Sequence, residues 1–123
     1  GYHHMASDSP HAEAVLQSGI KSPPPSGNPI YGTFDRIDDF SQIEPGLQLD
    51  HNGAIRFEFD TLQAVDDIRI PNARANSLSV PEPITNSFQE FGSGGRTQFI
   101  TNKLLKLKRA VDARTGEVLR EYR

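Results

Sequence analysis

The sequence predicts a small, single α+β domain that is mainly β, with one or two short helices. Nine prolines and ten glycines in 123 residues indicate many turns. Segments 55–59 and 97–101 carry the alternating or β-branched and aromatic residues typical of short strands. A chain of this length is large enough for one modest hydrophobic core and too small for two.

Composition excludes several classes of protein and of site. There is no cysteine, which rules out disulfides and thiolate zinc sites. No apolar run approaches the roughly 18 residues needed to span a bilayer, so we expect no membrane association. The net charge is -3, but residues 96–123 carry eight Lys or Arg against three Asp or Glu. This basic end suits RNA, DNA or an acidic partner, or the acidic remainder of the chain itself.

The first 27 residues do not resemble a folded segment. His3 and His4 resemble the remnant of an expression tag. Segment 22–27 is a Pro/Ser/Gly linker, and its prolines cannot join a helix or a strand ladder. We therefore expect the folded domain to span 28–123 and to be joined through the linker to something upstream.

A short helical turn is expected at the start of this domain. Asp35 is placed to cap it, and Ile37, Phe40 and Ile43 recur at helical spacing before Pro45 ends it. A hairpin is expected next, because alternating apolar residues at 47–49 and 55–59 flank an Asn-Gly pair suited to a type I′ turn.

The remaining elements follow from the same signals. Asp60 is positioned to cap a brief helix, and Ile68 and Ile70 alternate as a short strand. Residues 72–96 are expected to be mostly loop. The C-terminal third is expected to be sheet, with a strand at 97–101, continued strand character to 107, and a closing hairpin about a Thr-Gly turn at 111–118.

The segment Gly92–Phe99 is the strongest candidate site. Its glycines allow close approach of the backbone to a ligand, and Arg96, Thr97 and Gln98 follow directly, an arrangement suited to a phosphate-bearing ligand. Upstream, the loop 82–88 adds polar side chains and an aromatic that suits a planar ring. The alternative is a glycine hinge before an edge strand.

The string Gly94-Gly-Arg-Thr-Gln-Phe99, at the entry to a strand in a cysteine-free domain after a linker, carries a resemblance. It resembles the C-terminal toxin domains of bacterial polymorphic toxins of the Rhs and contact-dependent inhibition types. Within that group it is similar to small NAD-consuming toxins with the ADP-ribosyltransferase fold. The resemblance implies that fold's split sheet, and NAD as a substrate without a metal.

The same resemblance assigns roles to individual residues. It implies that Gln98 orients the nicotinamide ribose, that Arg36 contacts the NAD phosphates, and that Gln98 or Glu90 stabilises the charge developing as nicotinamide leaves. Further NAD contacts would fall on Phe88, Gly94, Gly95 and Thr97. It also implies a cognate immunity protein, a macromolecular target such as RNA or a translation component, and delivery as a secreted effector into the cytoplasm of a target cell.

Two alternatives remain open from the residues alone. A metal-independent ribonuclease would use a basic RNA-facing strip, with contact candidates at Arg96, Lys103, Lys106, Lys108 and Arg109. A non-enzymatic binding module would pair its basic strands with a partner. His51 is expected to be a turn residue rather than a general base. The acidic pairs at 38–39 and 66–67 are expected to be solvated rather than to bind a metal.

Overall fold

The computed structural model describes residues 1–73 and 80–122, and it confirms an α+β domain that is mainly β. The strands are β1 Tyr2–Met5, β2 Ile20–Lys21, β3 Ile30–Gly32, β4 Ile55–Phe59, β5 Phe99–Thr101, β6 Leu105–Asp112 and β7 Val118–Glu121. The helices are α1 Pro10–Ser18 and α2 Ile43–Leu47. Single 3₁₀ turns occur at Phe40–Gln42, Thr61–Ala64 and Gln89–Phe91.

The strands form two antiparallel sheets that meet at β1. The larger sheet has the order β1-β4-β6-β2, and β7 also pairs with β6. The smaller sheet contains β3 and β5. Tyr2 and Thr33 exchange two backbone hydrogen bonds of 2.9 Å, which continue the pairing from β1 towards β3. The result is a curled antiparallel arrangement around one main core.

Strand β4 lies at the centre of this arrangement, and all five of its residues are buried. Its apolar residues Ile55, Phe57 and Phe59 belong to the main core, together with Phe99 from β5 and Leu105 from β6. Helix α1 contributes Ala12 and Val15 to the same core. Because β4 is buried on both faces, its polar residues must find partners inside the protein.

Those partners form an ionic network around Glu58. Arg56 Nε lies 3.0 Å from Glu58 Oε2, and Arg109 Nε lies 2.8 Å from Glu58 Oε1. The guanidinium of Arg56 also lies 5.7 Å from the ring centroid of Tyr2. Each carboxylate oxygen therefore receives a charge-assisted hydrogen bond, which offsets the desolvation of the three charges.

The expectation that residues 1–27 lie outside the fold is wrong. β1 pairs with β4 along its whole length, and β2 pairs with β6. Helix α1 has the ordinary start and stop signals, since Ser9 accepts a hydrogen bond from the Ala12 N–H, Pro10 occupies the first turn and Gly19 has φ 70°. The expected linker 22–27 is a loop between β2 and β3. The two histidines of β1 resemble a tag, because the sequence alone does not show that this four-residue segment pairs with β4.

Three expectations for residues 35–59 are also wrong. The predicted hairpin at Asn52-Gly53 is wrong, because Leu47 ends α2 and no strand lies between α2 and β4. Proline at 45 does not end the helix, since it lies in the first turn of α2, where no intrahelical N–H is required. The 3₁₀ turn at 40–42 is capped by Asp39 instead of Asp35.

Further along the chain the signals were more reliable. Asp60 accepts a hydrogen bond from the Leu62 N–H at 2.9 Å, which confirms the predicted cap. The predicted strand at 68–70 is only an isolated bridge from Arg69 to Ile100. The closing hairpin is confirmed, with Gly116 at φ 79° in its turn. No helix in the described residues is long and apolar enough to cross a membrane.

Glu58→Gln should destabilise the protein in a pH-dependent way. Burial raises the pKa of Glu58, but hydrogen bonds from Arg109 and Arg56 outweigh it, so the net pKa lies below its usual value. The stabilisation is therefore complete above the ordinary glutamate pKa of about 4.3 and is lost as the pH falls through the lowered value. We expect the variant to lose about 2–3 kcal/mol at pH 7 and much less at pH 3.

Urea unfolding of both proteins at pH 7 and pH 3 measures this difference. Glu44→Gln is the control, because Glu44 is exposed on α2 and should change the free energy of unfolding little at either pH. A loss for Glu58→Gln that is the same at both pH values would show that the Glu58 charge contributes nothing.

Candidate functional site

The principal cavity has a volume of about 440 Å³ and lies between β1, the end of α2 and the loops around residues 85–98. This volume is within the roughly 300–1,000 Å³ common for small-molecule sites. The exposed surface of the lining is mostly apolar, with aromatic rings from Tyr2, Tyr31 and Phe88, although seven of the thirteen residues are His, Thr or Gln. The lining residues are Tyr2, His3, His4, Tyr31, Gly32, Thr33, Leu47, Gln48, Leu49, His51, Thr85, Phe88 and Gln98.

Three histidines contribute to this lining, and each ring makes a backbone contact. His3 Nδ1 lies 2.6 Å from the carbonyl oxygen of Tyr31, and His4 Nδ1 lies 3.0 Å from that of Gly53. His51 Nδ1 accepts a hydrogen bond of 2.9 Å from the Gly53 N–H. These contacts fix the orientation of each ring and determine which nitrogen carries a proton.

The histidines on β1 are neutral at physiological pH. Burial lowers the pKa of His3 to about 4, an effect only partly opposed by its hydrogen bond to Tyr31. Burial likewise lowers the pKa of His4 to about 4, and the nearby charge of Arg56 acts in the same direction. The cavity is therefore a weakly polar, uncharged environment on this side.

Gln98 immediately precedes β5 and lines the cavity, and its amide group is held in one orientation. Gln98 Nε2 donates to the Glu82 carbonyl oxygen at 2.8 Å and to Glu82 Oε2 at 2.7 Å. Ser87 Oγ donates to the other carboxylate oxygen at 2.6 Å. With both amide hydrogens engaged, Gln98 Oε1 remains an acceptor without a partner among the described residues.

The glycine loop contacts the protein's own backbone. The N–H of Gly94 donates to the Pro45 carbonyl oxygen at 2.9 Å, that of Gly95 to Thr85 at 2.9 Å, and that of Gly92 to Gln89 at 3.3 Å. These N–H groups are not directed at a ligand. The absence of side chains at 92 and 94 instead permits tight packing against Pro45 and Thr85.

The other residues assigned by resemblance occupy different places. Phe88 lines the cavity and stacks on Phe91, with ring centroids 6.3 Å apart. Thr97 is structural, since its N–H and hydroxyl lie 2.7 and 3.1 Å from the Asp35 carboxylate. Arg36 is exposed, bonded to Asp38 at 2.9 Å, and outside the cavity lining, as is the exposed Glu90. Gln98 and Phe88 therefore converge, whereas Arg36 and Glu90 do not join them.

The basic residues of the expected RNA-facing strip have different surroundings. Lys103 pairs with Asp66 at 3.1 Å, and Arg109 is committed to Glu58. The side chain of Arg96 lies against Gly46, beside α2. Lys106 and Lys108 are exposed on β6, and Lys106 lines a separate groove with Arg120. Among the described residues no group of three or more His, Asp or Glu is arranged to hold a metal ion.

Sequence reasoning missed the contribution of β1 to this site. His3 and His4 were assigned to a tag remnant, Tyr2 was not singled out, and His51 was expected to be only a turn residue. The helix signals at Ser9, Pro10 and Gly19 could have shown that the chain was already folded here, which makes a strand before them plausible.

Gly94→Ala and Gly95→Ala form a matched pair that tests the structural role of the loop. Both glycines have positive φ, 71° and 93°, but a Cβ at Gly94 would lie 2.1 Å from the Thr85 oxygen, while one at Gly95 meets no atom within 4 Å. We expect a loss of about 1–2 kcal/mol for Gly95→Ala and roughly 3–4 kcal/mol for Gly94→Ala, measured by urea unfolding. Unchanged stability with lost pyrophosphate binding in Gly94→Ala would contradict the structural role.

Comparison with known proteins assigns no family to this chain. No protein-family model, curated protein or solved structure matches it. Function is therefore inferred from the cavity, in which the fixed amide of Gln98 faces the neutral histidines of β1 and the aromatic rings of Tyr31 and Phe88.

Proposed function

We propose that the cavity binds the nicotinamide end of NAD and that the protein is a toxin domain that consumes NAD. The single observation that carries this proposal is the amide of Gln98. Its two hydrogens are held by Glu82, and its Oε1 is left as an acceptor in an uncharged, aromatic-lined cavity. An oriented acceptor of this kind suits a ribose hydroxyl.

The rest of the lining supports the same ligand. Nicotinamide is a planar ring, and Tyr2, Tyr31 and Phe88 supply aromatic surface against which such a ring packs. The neutral histidines of β1 add no positive charge that would repel the pyridinium of NAD. The proposal requires no metal for binding of the ring.

The reaction that fits these groups is displacement of nicotinamide from the ribose. The bond between the ribose carbon and the pyridinium nitrogen breaks with positive charge developing on the sugar. The Glu82 carboxylate lies 2.7 Å from Gln98 Nε2 and polarises the amide, so that Gln98 Oε1 becomes a stronger acceptor for the ribose hydroxyl. This stabilises the oxocarbenium-like transition state electrostatically.

The acceptor of the ADP-ribosyl group distinguishes two forms of this activity. Attack by water gives NAD hydrolysis, and attack by a nucleophile on RNA or protein gives ADP-ribosylation. The proposal places the protein among effectors that act in the cytoplasm of a target cell and that a cognate immunity protein neutralises in the producing cell. Nicotinamide release measures both forms, and transfer of label from NAD to lysate macromolecules identifies the second.

A metal-independent ribonuclease is the second candidate, because three histidines line one cavity. Such an enzyme needs a protonated general acid as well as a base. The pKa of about 4 at both His3 and His4 leaves these two rings neutral at pH 7, so neither is a ready acid. Cleavage of bacterial RNA in the presence of EDTA and the absence of NAD would favour the ribonuclease.

Gln98→Ala should lower nicotinamide release from NAD by at least about 100-fold, because it removes the oriented acceptor. The matched control is Gln17→Ala, since Gln17 makes a comparable amide-to-carboxylate contact with Glu13 at 3.0 Å on the exposed surface of α1. The control should retain full activity. Chromatographic measurement of nicotinamide, with and without bacterial lysate, decides the matter, and an active Gln98→Ala variant would remove Gln98 from the site.

Glu82→Ala should lower kcat about 10- to 100-fold with little change in KM, because Glu82 is a positioning residue. The backbone carbonyl of Glu82 still accepts from Gln98 in this variant, so the amide is only partly released. Glu82→Gln keeps an acceptor oxygen and should restore part of the lost rate. A rise in KM at unchanged kcat would instead indicate a role in binding alone. Glu13→Ala serves as the control.

A further inference from the structure

The contacts that the cavity histidines already make determine what their free nitrogens can do. A carbonyl oxygen only accepts hydrogen bonds, so His4 Nδ1, 3.0 Å from the Gly53 oxygen, must carry the proton. His4 Nε2 is then an acceptor. The same reasoning applied to His3, whose Nδ1 lies 2.6 Å from the Tyr31 oxygen, makes its Nε2 an acceptor as well.

His4 Nε2 is the one buried side-chain polar atom among the described residues without a hydrogen-bond partner. His4 is 6% exposed, and it contributes to the wall of the cavity. Leaving a buried acceptor unpaired is unfavourable, and such atoms in folded proteins usually indicate a bound water, ion or ligand. The atom is therefore a place where a donor from a ligand gains a hydrogen bond that the protein alone does not make.

The contacts of two further side chains in the cavity, Gln98 and His51, also determine which of their atoms can donate or accept. Gln98 offers Oε1 as an acceptor, because Glu82 receives both of its amide hydrogens. His51 differs, since its Nδ1 accepts from the Gly53 N–H and its Nε2 is the donor in the neutral ring. Gln98 and the two histidines of β1 thus offer three acceptors and His51 offers one donor, while the hydroxyls of Tyr2 and Tyr31 in the same lining can donate or accept. The three acceptors suit a ligand that presents NH₂ and OH groups.

We propose that His4 Nε2 accepts a hydrogen bond from the carboxamide NH₂ of nicotinamide, so that the protein selects amide dinucleotides over their deamidated acid forms. This inference rests on the proposed function, and it adds the group that reads the substrate. Nicotinic acid adenine dinucleotide differs from NAD only in that a carboxylate replaces the carboxamide. A carboxylate has no hydrogen to donate and places a negative charge against the lone pair of His4.

Protonation of His4 does not rescue binding of the acid form. The positive charge of Arg56 lies nearby, and Arg56 is the register partner of His4 between β1 and β4. Burial, assisted by this charge, lowers the pKa of His4 to about 4, so that the ring stays an acceptor at neutral pH. Discrimination between the amide and the acid therefore depends on His4 Nε2, which the fold keeps unprotonated.

The test compares kcat/KM for release of nicotinamide from NAD and of nicotinic acid from the deamidated dinucleotide at pH 7.5. The wild-type ratio should be at least about 100-fold in favour of NAD, as expected when a buried acceptor loses its donor and meets a charge. His4→Asn should reduce the ratio below about tenfold, since its amide keeps a donor for the Gly53 oxygen but lacks Nε2. Exposed His11, which bonds to Lys21, supplies the control His11→Asn.

A second arm measures binding of free nicotinamide and free nicotinic acid to the wild-type protein by NMR titration, so it needs neither turnover nor a folded variant. Nicotinamide should bind at least about tenfold more tightly. Equal affinity overturns the inference. Equal turnover of both dinucleotides also overturns it while the proposed function stands. Absence of any turnover rejects the proposed function, and the titration still decides whether the cavity prefers an amide. An unchanged ratio in a folded His4→Asn protein would assign Nε2 to a bound water.

Discussion

Backbone pairing on both sides of β1 is the interaction on which the rest of the structure depends. One edge of this four-residue strand pairs with β4, and the other is tied to Thr33 through the two hydrogen bonds of Tyr2. Both sheets therefore meet at a strand that offers no long hydrophobic surface of its own. Its stability comes from the neighbours it joins, and in return it supplies three residues to the wall of the cavity.

The ionic network on β4 and the cavity are parts of one electrostatic arrangement. Glu58 is balanced by Arg56, which is buried, and by Arg109, which is partly exposed, and these two cations offset the burial of the carboxylate within the sheet. Burial is the main reason why the pKa of His4 is low, and the charge of Arg56 beside it acts in the same direction. The packing of the sheet and one member of its ionic network thus both favour the neutral form of a candidate binding group.

The sequence predicted elements well where local signals were sufficient. Alternation located β4, the Asp60 cap and the Thr-Gly turn were identified correctly, and Gln98 was chosen as a residue that does line the cavity. The predictions failed where contacts between residues distant in the sequence determine the structure. The carboxylate of Asp35 binds Thr97, 62 residues away, and the glycine amides bond to carbonyls that the sequence does not reveal as neighbours. Four residues of β1 carry too little periodicity to be recognised alone.

Gln48 gives the wall opposite β1 an unusual mechanical character. Its Nε2 donates to the Gly92 carbonyl at 2.9 Å, its Oε1 accepts from the Phe88 N–H at 3.0 Å, and its own backbone has φ 54° at the end of α2. One buried side chain thus ties both ends of the 3₁₀ turn Gln89–Phe91 to the end of α2. This turn and the end of the helix are therefore expected to move as one unit, which preserves the shape of the cavity wall to which Gln48 and Phe88 belong.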